Sequence, residues 1–187
     1  KNFGNAFLQE LSHFHSVRRE IINIENIAGE IELFSNEYEE KQLILSASQL
    51  ESSKYLQPFL QHILANAAGF KIKTSIIGLK ENNVISKTFE PIEQNQALTI
   101  LKKLNNFSAN SLKEPLPITL KTALAFLDAK NKKNNKEWTD TRKIFLKECE
   151  QTPALSFAFA NFDDFYNADF QKLAFEIYGD FYNNFPR

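Results

Sequence analysis

Two short runs most constrain this chain: Ile27-Ala28-Gly29-Glu30-Ile31-Glu32-Leu33-Phe34 and Lys41-Gln42-Leu43-Ile44-Leu45-Ser46-Ala47-Ser48. Both read as β-strands. In the first, Ile31 and Leu33 point one way and Glu30 and Glu32 the other, the period-two alternation of a half-buried strand. Ser35-Asn36-Glu37 between them supplies turn chemistry. A long helical stretch follows, so a strand pair joined to a helix is the unit around which the remainder is arranged.

Before this pair, residues 3–19 read as a helix. Phe3, Phe7, Leu8, Leu11 and Phe14 recur at steps of three and four, and Arg18 and Arg19 supply the charge that a helix C-terminus prefers. Ile21, Ile22 and Ile24 form a β-branched run that predicts a strand over 21–25. After the pair, Ser52-Ser53 can cap a helix over 53–68 whose apolar stripe includes Tyr55, Phe59, Ile63 and Ala67. Pro58 predicts a late start or a kink, and Gly69 a stop. Phe70 to Leu79 alternates as a strand, Lys80 to Asn83 turns, and Val84 to Phe89 returns antiparallel. Further helices are predicted around Ala97–Leu104, Thr119–Ala129 and Trp138–Glu150. Glu114-Pro115-Leu116-Pro117 is a stiff, extended connection. Lys130 to Lys136 forms a polar, basic loop.

Composition narrows the function classes. Of 187 residues, 43% are hydrophobic and 24% charged, an ordinary globular balance with enough chain for a core. The formal net charge of -1 supplies no global field that draws in nucleic acid. A single cysteine, Cys149, excludes an internal disulfide and multi-cysteine metal sites, and fits a reducing compartment. No apolar run approaches the ~20 residues needed to span a bilayer. The absence of methionine suggests a fragment or a processed product.

Several residue types invite a functional reading and a plainer one. His13 and His15, placed on a helix, point about 200° apart and cannot share a metal. His62 lies beside an apolar stripe and reads as packed. The five glycines are isolated, so no phosphate-binding loop is present. Lys130, Lys132, Lys133 and Lys136 can contact phosphates, although such runs are usually solvated surface. The aromatic tail from Phe157 to Arg187 offers rings for base stacking, but the spacing of Phe162, Phe165 and Tyr166 fits core or subunit contact better.

The strand pair and its following helix resemble the core of the PD-(D/E)XK nucleases, in which one strand carries an acidic metal ligand and the next carries acid-x-Lys. Here the first position holds Glu32, and the second holds Ser46 and Ser48 with neither acid nor lysine. A wider set of segments is similar to the C-terminal domain of RecC, the gamma subunit of exodeoxyribonuclease V. These are Phe59 to Gly69; Phe89-Glu90-Pro91-Ile92 with Gln96-Ala97-Leu98 and Leu101-Lys102-Lys103-Leu104; Glu114 to Pro117 with Lys121 to Leu127; and Asn2-Phe3-Gly4-Asn5. Their order and spacing hold from about residue 2 to about residue 150, and beyond that only Asp163-Asp164 matches.

The resemblance implies an α/β fold with a restriction-endonuclease-like mixed sheet flanked by helices, and additional C-terminal helices. One nuclease-like domain is expected over 1–187, with a core at about 3–90 and a helical extension at about 93–187. It implies a pseudo-nuclease, with Glu32, Ser46 and Ser48 as degenerate catalytic positions, no metal and no cofactor. Metal-dependent cleavage needs the whole constellation, and Glu25, Glu30 and Glu51 add carboxylates but replace no lysine. The implied partners are the alpha (RecD) and beta (RecB) subunits and double- and single-stranded DNA, in the cytoplasm and with no membrane. Two other readings stand beside it: a divergent active metal-dependent DNA nuclease, and a protein-binding module unrelated to DNA.

Overall fold

The computed structural model describes residues 3–81, 83–111, 116–133 and 136–185. The predicted Glu114-Pro115 connection, Asn82 of the predicted turn and Asn2 lie outside the described residues. By internal contacts the chain forms two compact units, Lys1–Lys102 with Asn184–Arg187, and Lys103–Asn183.

The first unit holds a five-stranded sheet in the order β1-β2-β3-β4-β5. Its elements are α1 (Phe3–Leu11), β1 (Ser16–Ile24), β2 (Ile27–Ser35), β3 (Glu40–Gln49), a 3-10 turn (Ser52–Tyr55), α2 (Leu56–Ala67), β4 (Lys73–Lys80) and β5 (Asn83–Phe89). The β3–β4 pairing is parallel and the other three are antiparallel, so the fold is mixed α/β. As a parallel pair requires, α2 is the crossover from β3 to β4. Helix α3 (Gln94–Ser111) follows and runs across the boundary at Lys102.

The amino-terminal helix is shorter than its periodicity suggests. It stops at Leu11, and residues 16–24 pair one-to-one with residues 35–27. Arg18 and Arg19 therefore sit on a strand, where Arg18 bonds Glu40 at 2.9 Å and Arg19 bonds Glu32 at 2.8 Å. Nine cross-strand pairs outweigh a local helical preference, which is a weak prior. His13 and His15 lie between α1 and β1, not on a helix. Pro58 falls in the first turn of α2 and is tolerated there, the chain entering through the 3-10 turn. Gly69 closes α2 at φ +92, a conformation that favours glycine. The next strand begins at Lys73, later than expected, because Lys71 takes φ 49 and breaks the extended run.

The core of this unit is Ile31, Leu33, Phe59, Ile63, Ile76 and Phe89, all nearly inaccessible. Gly29 on β2 lets α2 close on the sheet: a methyl of Leu64 occupies the place where a Cβ would project. On β3, the buried Lys41 pairs with Glu10 of α1, and its ammonium lies 4.8 Å from the Phe14 ring centroid.

The second unit is helical: the end of α3, α4 (Leu120–Asn131), α5 (Glu137–Gln151), α6 (Pro153–Ala158), α7 (Phe162–Phe165) and α8 (Ala168–Asn183). Phe126, Phe145, Phe162, Phe165 and Phe170 pack with Ala123, Leu127 and Ala174 into one cluster. Most of the aromatic tail is thus core. Among its described residues, the large hydrophobics that are exposed are Phe157 and Phe175. The predicted basic loop is shorter than expected, since Lys130 and Asn131 finish α4.

Helix α4 is capped from another helix. Thr119 at its N-cap makes no side-chain capping bond; instead Glu148 of α5 accepts from Thr122 N–H at 3.0 Å and from the Thr122 hydroxyl at 2.6 Å. A carboxylate at a helix N-terminus satisfies orphan donors and complements the dipole. Glu148→Ala should lower stability by about 1–2 kcal/mol, the typical cost of a lost cap, and Glu148→Gln by less. Chemical denaturation of the three proteins measures this.

Candidate functional site

The ladder between β2 and β3 holds at only two pairs, Phe34↔Lys41 and Ser35↔Glu40, next to the turn. Asn36 shapes that turn, its Oδ1 accepting from the N–H groups of Tyr38 and Glu39 at 2.8 and 2.9 Å. Beyond the two pairs the strands diverge, and a cleft of about 400 Å³ opens between them. Arg19, Glu30, Glu32 and Gln42 line it from the sheet, and Gln57 and Gln61 from α2.

Glu32 therefore reaches a cleft, and its partner there was not legible in the sequence. Arg19 Nε donates to Glu32 at 2.8 Å and lies 3.6 Å from Glu30. The β1–β2 register sets Arg19 opposite Glu32, and the i, i+2 alternation puts Glu30 on the same face. All three side chains are largely solvent-exposed, so the pairing contributes little to stability. What it sets is local charge: a guanidinium, not a lysine near a bound ion, faces these carboxylates.

Ser46 and Ser48 lie apart from this arrangement. Their hydroxyls are 3.3 Å from each other, in the stretch where β3 shifts register against β4, and neither lines the cleft. Among the described residues, no three or more His, Cys, Asp or Glu side chains gather so as to hold a metal ion. Mg²⁺ asks for near-octahedral oxygen ligation, which two carboxylates bound to an arginine do not offer.

A buried polar network that sequence reasoning missed runs inward from the cleft. Gln42, His62, Asn66 and Thr74 are all buried. The Thr74 hydroxyl lies 3.1 Å from Gln42 Oε1 and 2.9 Å from His62 Nδ1. His62 Nε2–H donates to the Glu90 carbonyl at 3.0 Å. Asn66 donates to the His62 carbonyl at 2.8 Å and accepts from Ile92 N–H at 3.2 Å. Burial pushes the His62 pKa down to about 4, against a smaller opposing pull from the Glu90 carbonyl. His62 is a neutral core residue that ties α2 to β4 and to the segment before α3.

The lysines of the candidate DNA contact are placed around the end of α4. Lys130 pairs with Glu137 at 2.8 Å and lies 5.5 Å from the Phe126 ring centroid. Glu137 also accepts from the Tyr166 hydroxyl, whose pKa is raised by burial and by that carboxylate. Lys132 pairs with Asp128 at 2.6 Å, which also accepts from Tyr182 at 3.3 Å. Lys133 is exposed at φ 50, and Lys136 stands at the N-cap of α5. Lys130 and Lys132 thus have carboxylate partners that compete with phosphate.

Fold and site together define a mixed α/β domain with a forked sheet, whose carboxylates at the fork face an arginine. The family model for the RecC C-terminal domain matches residues 8–131, and the chain belongs to that family. No curated protein matches the chain. The matched span takes in the whole sheet and ends with α4. Among the described residues, no helix is long and apolar enough to cross a membrane.

Proposed function

We propose that this chain is the non-catalytic, nuclease-like domain of an exodeoxyribonuclease V gamma subunit. In that role it scaffolds the RecB and RecD subunits in the cytoplasm and guides split DNA strands during double-strand-break repair and recombination. Its nuclease-like core is residues 3–90, and residues 93–187 are a helical extension of the same domain. The family match supports the subunit assignment. The single observation that carries the non-catalytic reading is the fork. In an α-β-β-β-α-β succession, the second strand presents Glu32 to a cleft between β2 and β3, where Arg19 takes it up.

Chemistry follows from what surrounds Glu32. Phosphodiester cleavage on a metal needs carboxylates free to bind the ion and a base or cation placed on the water. Glu32 is paired, and Ser46 and Ser48 offer hydroxyls in place of the acid and the lysine. The purified chain should leave linear DNA intact in Mg²⁺ or Mn²⁺ while co-purifying with co-expressed RecB and RecD. Robust cleavage that disappears in Glu32→Ala would overturn the assignment. DNA binding by the chain alone should be weak and salt-sensitive, because a formal net charge of -1 supplies no global field toward phosphate.

A further inference from the structure

Strand β1 is one edge of the sheet, and it is long and regular: nine residues pair with β2 without a register shift. Which of its backbone groups face outward follows from the turn between β2 and β3. Asn36 N–H donates to the Glu39 carbonyl, so the backbone groups of Asn36, Phe34 and Glu32 face β3. Those of Ser35, Leu33 and Ile31 then face β1, where Ser16, Arg18 and Glu20 meet them. By the same alternation, the N–H and C=O groups of Val17, Arg19, Ile21 and Asn23 point away from the sheet.

The side chains of that outward set are also unprotected. Val17 is 56% and Ile21 75% exposed, with Arg19 between them on the same face. Sheet edges are normally blunted by charged side chains, lysine above all, by proline, a bulge or brevity. β1 has no lysine, proline or internal bulge, and its charges are taken up by neighbours, Arg18 by Glu20 and Glu40 and Arg19 by Glu32. The opposite edge, β5, is shorter and carries Lys87 at mid-strand, and none of the large hydrophobics exposed among the described residues falls on it.

We infer that β1 is a docking edge for an extended strand from another polypeptide of the assembly, added antiparallel or parallel through Val17, Arg19, Ile21 and Asn23. The chemistry of that strand follows from its neighbours. Apolar side chains belong opposite Val17 and Ile21, and an uncharged polar one opposite Arg19, whose charge Glu32 at 2.8 Å and Glu30 at 3.6 Å already take up. Backbone hydrogen bonds supply affinity and the alternating side chains supply register.

This inference rests on the subunit reading above, and the test separates the two. Hydrogen exchange is followed at the amides of residues 17, 19, 21 and 23 in the chain alone and in the complex co-purified with RecB and RecD. Exchange should be fast in the chain alone and slowed by roughly a hundredfold or more in the complex. Val17→Lys with Ile21→Lys should weaken assembly about tenfold or more, while Ser86→Lys on the exposed β5 edge should leave it unchanged. Both altered side chains are exposed, so folding is retained, and circular dichroism checks it. Fast exchange in an intact complex, or unaltered assembly of the double variant, overturns the docking edge and leaves the subunit reading standing. Protection that grows with concentration in the chain alone would assign the edge to a second copy and overturn it as well. No co-purification overturns both.

Discussion

Phe165→Ala should destabilise the helical unit by about 3–5 kcal/mol, the usual cost of removing a fully buried phenylalanine and leaving a cavity. Phe165 has no accessible surface, and its ring centroid lies 4.6 Å from that of Phe145, 4.9 Å from Phe170 and 5.2 Å from Phe159. It closes α7, a helix of only four residues. Such a turn has almost no stability of its own. Asn161 caps it by accepting from Asp164 N–H at 2.9 Å, but the rings of Phe162 and Phe165 anchor it to α5. Removing Phe165 strips three aromatic contacts at once, and the surrounding helices cannot collapse into the space without moving α7. Phe157→Ala is the control. Phe157 is 90% exposed, so its loss should change stability by no more than about 0.5 kcal/mol. Denaturant midpoints at constant slope read both effects. A loss below about 1 kcal/mol for Phe165→Ala would mean that the tail is not the core of this unit.

What could be read in advance follows a physical line. β2 and α2 declare themselves through local periodicity, because their apolar residues recur at the period of a strand and of a helix. β1 does not. Its first half, Val17-Arg18-Arg19-Glu20, is a strand because β2 pairs with it, and that pairing appears nowhere in the local pattern. The aromatic tail gave spacing but not its occupant: rings at helical steps serve a core or an interface equally well, and only the fold places Phe165 inside and Phe157 outside. At the site, Glu32 was legible from strand alternation. Arg19 was not, since it is 13 residues away and faces Glu32 only through the register. The lysines illustrate the same limit. Glu137 and Asp128 lie close in sequence, yet nothing in a basic run announces that a carboxylate folds back onto it. His62 read as a packed histidine; its network joins residues as far apart as Gln42 and Glu90, which meet only after the crossover is made.

That network makes stability depend on acid. The folded chain holds His62 neutral, its pKa lowered to about 4 by burial, whereas in the unfolded chain it takes its ordinary value of 6.5. Protonation therefore favours the unfolded state. The stabilising difference is fully present above about pH 6.5, declines as pH falls, and is gone below about pH 4. The gap between the two values corresponds to about 3 kcal/mol. Protonating the ring in place turns Nδ1 into a donor facing the Thr74 hydroxyl and Asn66 Nδ2, and leaves a buried cation whose desolvation outweighs the pull of Glu90. Carboxylates elsewhere also titrate in this range, so the comparison is with His62→Gln, which carries an amide into the same space and has no proton to gain. Unfolding free energy measured at intervals from pH 7.5 to pH 4 should fall more steeply for the wild type than for the variant, by about 3 kcal/mol over the range. Direct titration of the His62 ring by NMR gives an independent reading and should show no midpoint above pH 5. Parallel stability profiles, or a ring that titrates near 6.5, would place His62 in contact with water and dissolve the network that joins the cleft to the core.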